Sequence, residues 1–295
     1  MTPRSLLYLT ACLMVVPWVQ AQSPDWKAVE IVMGRSAVLL PPDVHRFNFP
    51  RTDLQVVVGT VKIKPALALG GWVAFTPHGN ETIAMGDLVL TTDELAPVIR
   101  RLQEGGIQQT AIHHHLVDES PRMLYVHIHA HGDPLQLGAT IRAAIALTGT
   151  PPPSSAVAAS EPFPLDTAAI TRVLGASGRV NGGVYQVGVP RAEQIREADF
   201  EIPGSMGLGT VINFQPTEGG QAAITGDFVL LGHEVNPVIR ALAQHGIAPT
   251  SLHNHLLGEE PRLFFLHFWA HAEALKLAAG LRAALDRTNS RRVTP

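Results

Sequence analysis

Cysteine is almost absent from this sequence of 295 residues, since Cys12 is the only one. A chain with a single thiol forms no internal disulfide framework and offers no set of thiolates to a metal ion. Any metal site must therefore be built from nitrogen and oxygen ligands. The 14 histidines are the first place to look for one.

Charged residues are also scarce, at 16% of the chain, and the formal net charge is −3. The sequence has no run of lysine or arginine, and nucleic-acid-binding proteins depend on such a basic patch. We therefore expect no nucleic-acid partner. The hydrophobic content of 46% is ample for a packed core, and the length allows two domains of about 100–200 residues each.

The N-terminus has the pattern of a secretory signal peptide. Arg4 precedes an apolar run over residues 5–16, and the small residues that end at Ala21 are typical of a cleavage site. The run is shorter than the about 20 apolar residues that a transmembrane helix needs, so no transmembrane span is predicted. We expect an exported protein, periplasmic or extracellular, cleaved near Ala21. Lipidation at Cys12, which ends a Leu-Thr-Ala-Cys box, is the alternative.

The rest of the chain is a tandem duplication. Residues 86–90, Gly-Asp-Leu-Val-Leu, correspond to residues 226–230, Gly-Asp-Phe-Val-Leu, and the two copies then align without a gap to the second group of histidines. Residues 148–164 between them are rich in proline, serine and alanine, which is typical of an exposed linker. We divide the chain into a signal peptide (1–21), a first repeat (22–147), a linker (148–164) and a second repeat (165–290).

Each repeat has the pattern of a helix, several strands, a helix, two strands and a helix. In the first repeat, apolar spacing predicts a helix at 25–33, strands at 44–49, 54–63 and 72–75, and a last helix at 135–147. Thr91 and Glu94 form a capping-box pattern that starts the middle helix. Strands adjacent in sequence with helices between them predict an α+β fold with a largely antiparallel sheet, and the duplication predicts a pseudo-two-fold arrangement.

Ten of the 14 histidines fall in residues 111–131 (AIHHHLVDESPRMLYVHIHAH) and 251–271 (SLHNHLLGEEPRLFFLHFWAH). Alternate side chains of a strand point to one face, and residues 116–121 are typical of a hairpin connection. If the two strands pair antiparallel with odd-numbered residues opposite one another, His114 points away and five rings share one patch. These rings belong to His113, His115, His127, His129 and His131.

Packing does not explain this spacing, because close imidazoles repel one another when protonated and bury little apolar area when neutral. Neutral imidazole is a common ligand for zinc, copper, iron and nickel. We therefore predict that the five histidines bind a divalent metal ion, with zinc or copper as the first candidates.

The second repeat has fewer histidines, because Trp269 replaces His129 and Asn254 replaces His114. Its remaining histidines form a possible second site. They are His253, His255, His267 and His271. In the alternative, only the first repeat keeps the chemistry and the second keeps the fold without it.

Acidic residues accompany the histidines at equivalent positions of the two repeats. Glu119 and Glu259 lie in the hairpin loops, where Glu119 is a candidate general base on a metal-bound water and, in the alternative, a solvated turn residue. Asp133 and Glu273 follow the last histidine of each repeat and are candidates for orienting a ligand ring.

Two other pairs of residues recur at equivalent positions of the two repeats, and each pair also has a structural interpretation. Arg122 and Arg262 follow a proline at a strand start, where they could hold an anionic substrate or pair with the nearby glutamate. Asp87 and Asp227 follow glycine at a predicted strand start, and we interpret them as structural turn residues.

Three functions remain open at this point. The first is a metal-dependent enzyme in which three histidines hold the ion and a bound water is activated. The second is a metal carrier or buffer in which the protein fills every coordination position. The third is a cell-envelope module that binds a glycan, protein or small-molecule ligand without metal.

Several motifs resemble the LppY/LpqO family of bacterial envelope proteins, a domain-of-unknown-function family whose namesakes are lipoproteins. They are MGDLVL, TxDEL, PVIR, LQEGGI, HHHL, DESPR and HIHAHGD in the first repeat, and GGVYQV and VPR in the second. The resemblance covers nearly the whole mature chain, although Trp269 departs from the pattern. It implies an exported protein with the histidines as its functional patch, and it implies no particular reaction.

Overall fold

The computed structural model describes residues 23–153 and 162–291. The predicted signal peptide with Cys12 and residues 154–161 of the predicted linker lie outside the described residues. Within the described ranges, no helix is long and apolar enough to cross a membrane.

The first repeat alternates short helices with strands. Its helices are α1 (Trp26–Met33), α2 (Pro65–Ala68), α3 (Thr92–Glu104) and α4 (Pro134–Ile145). Its strands are β1 (Val38–Leu40), β2 (Val44–Pro50), β3 (Val57–Val58), β4 (Val61–Lys62), β5 (Gly70–His78), β6 (Glu81–Thr91), β7 (Gln108–His113), β8 (Glu119–Ser120) and β9 (Met123–Gly132).

The second repeat has the same order of elements, with a short 3₁₀ helix, Gly204–Met206, in the place of α2. Its α-helices are α5 (Thr167–Leu174), α6 (Gly232–Gln244) and α7 (Ala274–Leu285), and a further 3₁₀ turn covers Glu218–Gly220. Its strands are β10 (Gly178–Asn181), β11 (Val184–Val189), β12 (Arg196–Glu197), β13 (Phe200–Glu201), β14 (Thr210–Pro216), β15 (Gln221–Leu231), β16 (Ala248–His253), β17 (Glu259–Glu260) and β18 (Leu263–Glu273).

Each repeat forms a six-stranded antiparallel sheet. The strand order is β1-β2-β5-β6-β9-β7 in the first repeat and β10-β11-β14-β15-β18-β16 in the second. Small three-stranded sheets accompany them, in the orders β4-β3-β8 and β13-β12-β17. The prediction of an α+β tandem duplication with antiparallel sheets is confirmed.

The local elements agree with the sequence except at a few boundaries. The predicted strand at 54–63 is two short strands, β3 and β4, because Gly59 turns the chain with a φ of 56° that glycine adopts without strain. The predicted strand at 72–75 is the middle of the longer β5. The capping box is present: Thr91 Oγ1 accepts from the N–H of Glu94, and Glu94 accepts from the N–H of Thr91.

The two faces of each sheet have different neighbours. Even-numbered residues of β9, such as Val126 and Ile128, pack in a core with α1, α3 and α4. Odd-numbered residues of β6 and β9 lie on the opposite face, where Met85 shares a core with Phe265 of the second repeat. The odd-numbered faces of the two sheets, which carry the histidines, are therefore covered by the other repeat.

A short segment of the first repeat attaches to the sheet of the second. The N–H of Lys64 donates to Gln215 Oε1 at 2.8 Å, and Gln215 Nε2 donates to the carbonyl of Lys62 at 2.7 Å. Gln186 and Asn213 donate to the carbonyls of Ala66 and Leu67. These bonds fix the backbone of residues 62–67 against β11 and β14, so the relative position of the repeats is set by direct hydrogen bonds as well as by apolar packing.

At Gly226, in β15, the neighbouring strand β14 lies too close to leave room for a side chain. A Cβ at this position would lie 1.9 Å from the carbonyl oxygen of Val211. We expect Gly226→Ala to destabilise the protein by about 1–3 kcal/mol or more, because the strand must shift to admit the methyl group. The measurement is the free energy of unfolding in urea.

Gly188→Ala, in β11 of the same sheet, is the matched control. Apart from Gly188 itself and its two neighbours in the chain, no atom of the described residues lies within 4 Å of its added Cβ. Its effect should stay within about 0.5 kcal/mol of the wild type. Equal stability of the two variants would contradict the close approach at Gly226.

Candidate metal centre

The two repeats meet along their edge strands β7 and β16. Thr110 Oγ1 donates a hydrogen bond to the carbonyl oxygen of His255 at 2.7 Å, and Thr250 Oγ1 donates to the carbonyl oxygen of His115 at 2.7 Å. Thr110 and Thr250 occupy equivalent positions, as do His115 and His255. The reciprocal pair of bonds therefore shows that the repeats are related by a pseudo-two-fold axis at this junction.

Six histidines, three from each repeat, meet at this junction and form what we call the central cluster. Its members are His113, His115 and His127 of the first repeat and His253, His255 and His267 of the second. Their rings pair across the axis, with centroid distances of 3.8 Å for His113–His253, 3.8 Å for His115–His267 and 3.7 Å for His127–His255. The two repeats thus contribute to one cluster instead of forming a separate site each.

Strand pairing explains how each repeat presents its three rings. Strand β7 pairs antiparallel with β9, and the register places Ala111 opposite His127 and His113 opposite Tyr125. Odd-numbered residues therefore face odd-numbered residues, as the hairpin prediction requires. His115 follows the end of β7 and packs its ring on Tyr125 at a centroid distance of 3.4 Å, and Phe265 supports His255 in the same way.

Burial favours the neutral form of five of the six rings in the central cluster. The pKa values of His113, His115 and His127 lie well below the ordinary value, because burial disfavours the charged form and because the neighbouring imidazoles would repel an added proton. Burial also lowers the pKa values of His253 and His267. A neutral imidazole has a nitrogen lone pair free for a metal ion.

Backbone carbonyls orient two of the rings at equivalent positions. His127 donates its Nδ1–H to the carbonyl of Gly86 at 3.2 Å, and His267 donates to the carbonyl of Gly226 at 2.7 Å. A carbonyl can only accept, so in the neutral ring the lone pair is on Nε2. Such hydrogen bonds to the remote nitrogen are typical of metal-ligating histidines.

Several ring nitrogens of the cluster are buried without a hydrogen bond. Within the described part of the chain, neither nitrogen of His113 or His253 has a partner, and the same holds for Nε2 of His127 and His267. A buried polar atom without a partner costs about 1–3 kcal/mol. This concentration of unpartnered nitrogens at one place fits a set of ligands that surrounds a cation.

The nitrogens are close enough together to share an ion. Those of His113, His253 and His267 include one ligand atom each within 4.8 Å of one another, and so do those of His127, His253 and His255. Both groups draw ligands from both repeats. The structure therefore contains histidine groups that could bind a metal, and they span the junction.

Asp87 and Asp227 also belong to this centre. Asp87 Oδ2 lies 3.2 Å from His115 Nε2, and Asp227 Oδ2 lies 3.2 Å from His255 Nε2. Burial, and then the charge of Asp227, raise the pKa of Asp87 well above its ordinary value. A divalent cation between these acids and the imidazoles would offset that repulsion.

The structure differs from the predicted turn role of these two aspartates. Strand β6 begins at Glu81 and β15 at Gln221, so Asp87 and Asp227 lie inside strands, directly opposite His127 and His267. The Gly-Asp pair repeated in both halves was the available sequence signal. Its partner across the sheet is fixed only by the register of β6 with β9.

The five histidines predicted to form one cluster divide into two groups. His113, His115 and His127 lie in the central cluster, whereas His129 and His131 approach Glu197 of the second repeat. The reason is geometric, because successive same-face residues along β9 move away from the pseudo-two-fold axis. Glu197 had no signal in the sequence, since it comes from a different repeat.

The second repeat also separates its histidines. His271 is outside the central cluster and pairs with Thr217 Oγ1 at 2.9 Å, while Trp269 packs beside an apolar core. His114 and Asn254 point elsewhere and contact the carbonyls of Met123 and Leu263, both at 2.7 Å.

Glu119, the candidate general base, has a structural position. It is buried, its Oε1 accepts from the N–H of Met123 at 3.2 Å, and Glu259 accepts from the N–H of Leu263 in the same way. Among the described residues, Glu119 is in none of the groups that could hold a metal ion. These glutamates connect the hairpin to the start of β9 and β18, while Glu119 Oε2 is buried without a hydrogen-bond partner among the described residues, and the general-base role of Glu119 stays a prediction.

The other accompanying residues have the following contacts. Asp133 caps α4 by accepting from the N–H of Gln136, and Glu273 caps α7 by accepting from the N–H groups of residues 275 and 276, so the predicted orientation of a ligand ring by these two acids stays a prediction. Arg262 pairs with Glu259 at 3.3 Å, and Arg122 is exposed.

Together, the fold and the site define a tandem α+β protein with a histidine centre at the junction of its repeats. The chain belongs to the family described as Domain of Unknown Function (DUF1259), whose model matches residues 27–147 and again residues 168–287. No curated protein matches the sequence.

A crystal structure of a trimeric bacterial microcompartment shell protein, PduB, is similar to this chain at 12% identity. The alignment covers 88% of this chain and 97% of that chain, with a TM-score of 0.23. A similarity this low carries no inference about fold or function.

Acid should destabilise the metal-free protein. Each histidine with a lowered folded-state pKa is protonated only in the unfolded state between that pKa and the unfolded value of about 6.5, so stability falls as the pH drops below about 6.5. Asp87, with its raised pKa, acts in the opposite direction but is a single group.

Urea midpoints of chelator-treated protein between pH 8 and pH 5 measure the effect. The slope should be smaller in His113→Gln, and a flat wild-type profile would contradict the burial of neutral imidazoles.

Proposed function

We propose that the protein is an exported metal-binding protein of the LppY/LpqO type, whose central cluster holds a divalent cation between the two repeats. Zinc and copper are the first candidates, because the ligands are imidazoles and the chain offers no cluster of thiolates. The observation that carries the proposal is the convergence of buried, neutral imidazoles whose nitrogens lack hydrogen-bond partners within the described residues.

The ligand spacing supports this proposal. With Zn–N bonds of about 2.0–2.1 Å, the ligand atoms of a tetrahedral site lie about 3.3 Å apart. The nitrogens of the His113, His253 and His267 group lie within 4.8 Å of one another, so small ring movements would bring them to a common ion. The carbonyls of Gly86 and Gly226 already hold two rings with Nε2 free.

Export rests on the sequence of the N-terminus. Arg4, the apolar run that follows it and the small residues up to Ala21 have the form of a signal peptide. Cleavage there would deliver the two repeats to the periplasm or the extracellular space, whereas modification of Cys12 would anchor them as a lipoprotein. The partner in either place is the metal ion together with a small-molecule or envelope ligand of unassigned chemistry.

The burial of the cluster favours retention of the ion over catalysis on it. Four of the six rings, those of His113, His127, His255 and His267, are 3–7% exposed, and those of His115 and His253 are half-buried. A hydrolytic metal site keeps a coordination position open to water and substrate. The central cluster therefore suits a metal carrier or a metal buffer, or a structural site whose ion holds the two repeats together.

Elemental analysis of the untagged protein tests the proposal. After removal of metal and reconstitution with Zn²⁺, Cu²⁺, Ni²⁺ or Mn²⁺, at least one equivalent should remain bound during gel filtration in the presence of a chelator. Binding to the folded state alone also raises stability, by about 2.7 kcal/mol at a free concentration one hundred times the Kd.

Single variants on either side of the axis show whether the site is shared. Both His113→Ala and His253→Ala should abolish the chelator-resistant metal, because the two rings serve one centre. Two independent sites would instead lose half of the metal in each variant. His233→Ala, an exposed histidine on α6, is the control and should bind as the wild type does. No retained metal and no stabilisation with any of the four ions would overturn the proposal and favour an envelope module that binds without metal.

A further inference from the structure

A second group of potential ligands lies outside the central cluster. His129 and His131 project from β9 of the first repeat, and Glu197 lies on β12 of the second. Glu197 Oε2 is 3.0 Å from His129 Nε2 and 3.2 Å from His131 Nε2. We call these three residues the rim site.

The geometry of the rim site is that of ligands around an ion. Ligand atoms on a tetrahedral zinc with bonds of about 2.0–2.1 Å lie about 3.3 Å apart, close to both distances to Glu197. His131 Nε2 has hydrogen-bond geometry to Glu197 Oε2, and His129 Nε2 lies at ion-pair distance from the same oxygen. One carboxylate oxygen therefore faces two ring nitrogens, as it would beside a shared cation.

The pseudo-two-fold axis relates the rim site to a counterpart position on the other side of the molecule, which has no such group of ligands. In the small sheets, Glu197 pairs with Glu259 of β17 as Val58 pairs with Glu119 of β8, so Val58 is the counterpart of Glu197. Trp269 is the counterpart of His129. Val58 and Trp269 both pack in one apolar core that joins the repeats.

Two of the three rim-site residues, His129 and Glu197, thus stand where the counterpart position has an apolar pair, Trp269 and Val58, that the same fold accommodates. Packing and strand pairing need neither His129 nor Glu197, because the counterpart position is built without them. The third member has also changed its contacts, since His271, the counterpart of His131, pairs with Thr217 at 2.9 Å. A requirement for ligands on one side of the molecule explains the paired difference.

We propose that the rim site binds one divalent cation through Nε2 of His129, Nε2 of His131 and the carboxylate of Glu197. Two imidazoles and one carboxylate are a ligand set used for zinc and for iron(II), with remaining positions left to water or substrate. His131 is exposed, so the open side of the ion faces solvent. The rim site therefore takes an exchangeable ion and a water or an anionic small molecule upon it.

Two neighbouring groups border the open side. The ring of His78 lies 6.2 Å from that of His131, and His78 Nε2 is 3.7 Å from Asp199 Oδ1. Both are placed to hydrogen-bond a molecule that reaches the ion from solvent.

The decisive variant carries the residues of the counterpart position, His129→Trp with Glu197→Val. Titration of metal-free protein with Zn²⁺ against a chromophoric chelator counts the exchangeable ions. The wild type should bind one exchangeable equivalent that this double variant lacks. His271→Ala, which alters the counterpart of His131, should leave the count unchanged.

A milder variant keeps the test valid if the double variant does not fold. Glu197→Gln retains the shape of the side chain and removes its charge, and we expect it to weaken the exchangeable Zn²⁺ by more than about 10-fold. At a Co²⁺ concentration that fills the rim site of the wild type and leaves that of Glu197→Gln largely empty, azide should alter the visible absorption spectrum of the wild type and not that of the variant.

The rim site and the central cluster can fail separately. The double variant His113→Ala with His253→Ala removes ligands of the central cluster only, so its exchangeable equivalent should persist. An unchanged count and affinity of exchangeable Zn²⁺ in both rim variants would overturn the rim site, whatever the central cluster binds.

Discussion

The stacking of imidazole rings across the junction of the two repeats is the interaction on which the rest of this structure depends. His113, which is buried, lies on the half-buried His253 at a centroid distance of 3.8 Å. Burial and the repulsion of neighbouring imidazoles lower the pKa values of His113, His115, His127, His253 and His267, which favours the neutral form of these rings. Each repeat answers this constraint with the same devices. A backbone carbonyl fixes one ring, an aromatic side chain supports another, and an aspartate, buried in the first repeat and half-buried in the second, lies beside the nitrogen of the supported ring.

The antiparallel sheets position four of the six rings, and His115 and His255 follow closely after β7 and β16. Side chains alternate along β9 and β18, so the same strand that buries Val126 against its helices turns His127 toward the other repeat. Gly86 supplies the carbonyl for His127 at a place where a side chain would collide with the carbonyl of Trp72, 2.6 Å from the position of a Cβ. The path of the backbone and the orientation of the ring are therefore set together.

Sequence patterns predicted the parts of this centre that depend on local geometry. The spacing of His113, His127 and the hairpin between them predicted paired strands with odd-numbered residues in register, and the duplication predicted the twofold arrangement. The division of the histidines could not be predicted, because it depends on how one repeat lies on the other. Glu197 reaches His129 only through that packing. Asp87 looked like a turn residue because nothing local marks the earlier start of β6.

The rim site has His129 and Glu197 where its counterpart position has Trp269 and Val58. This difference between the two sides bears on how a centre between two repeats can evolve. A dimer of identical chains presents every surface twice, so a change that suits one side is imposed on the other. Joining the two halves in a single polypeptide removes that obligation. Mutations can then preserve the shared interior, where both halves must still match, while the two outer edges diverge. Because the two repeats are joined in one chain, they share the central cluster, while the rim site and its counterpart position differ.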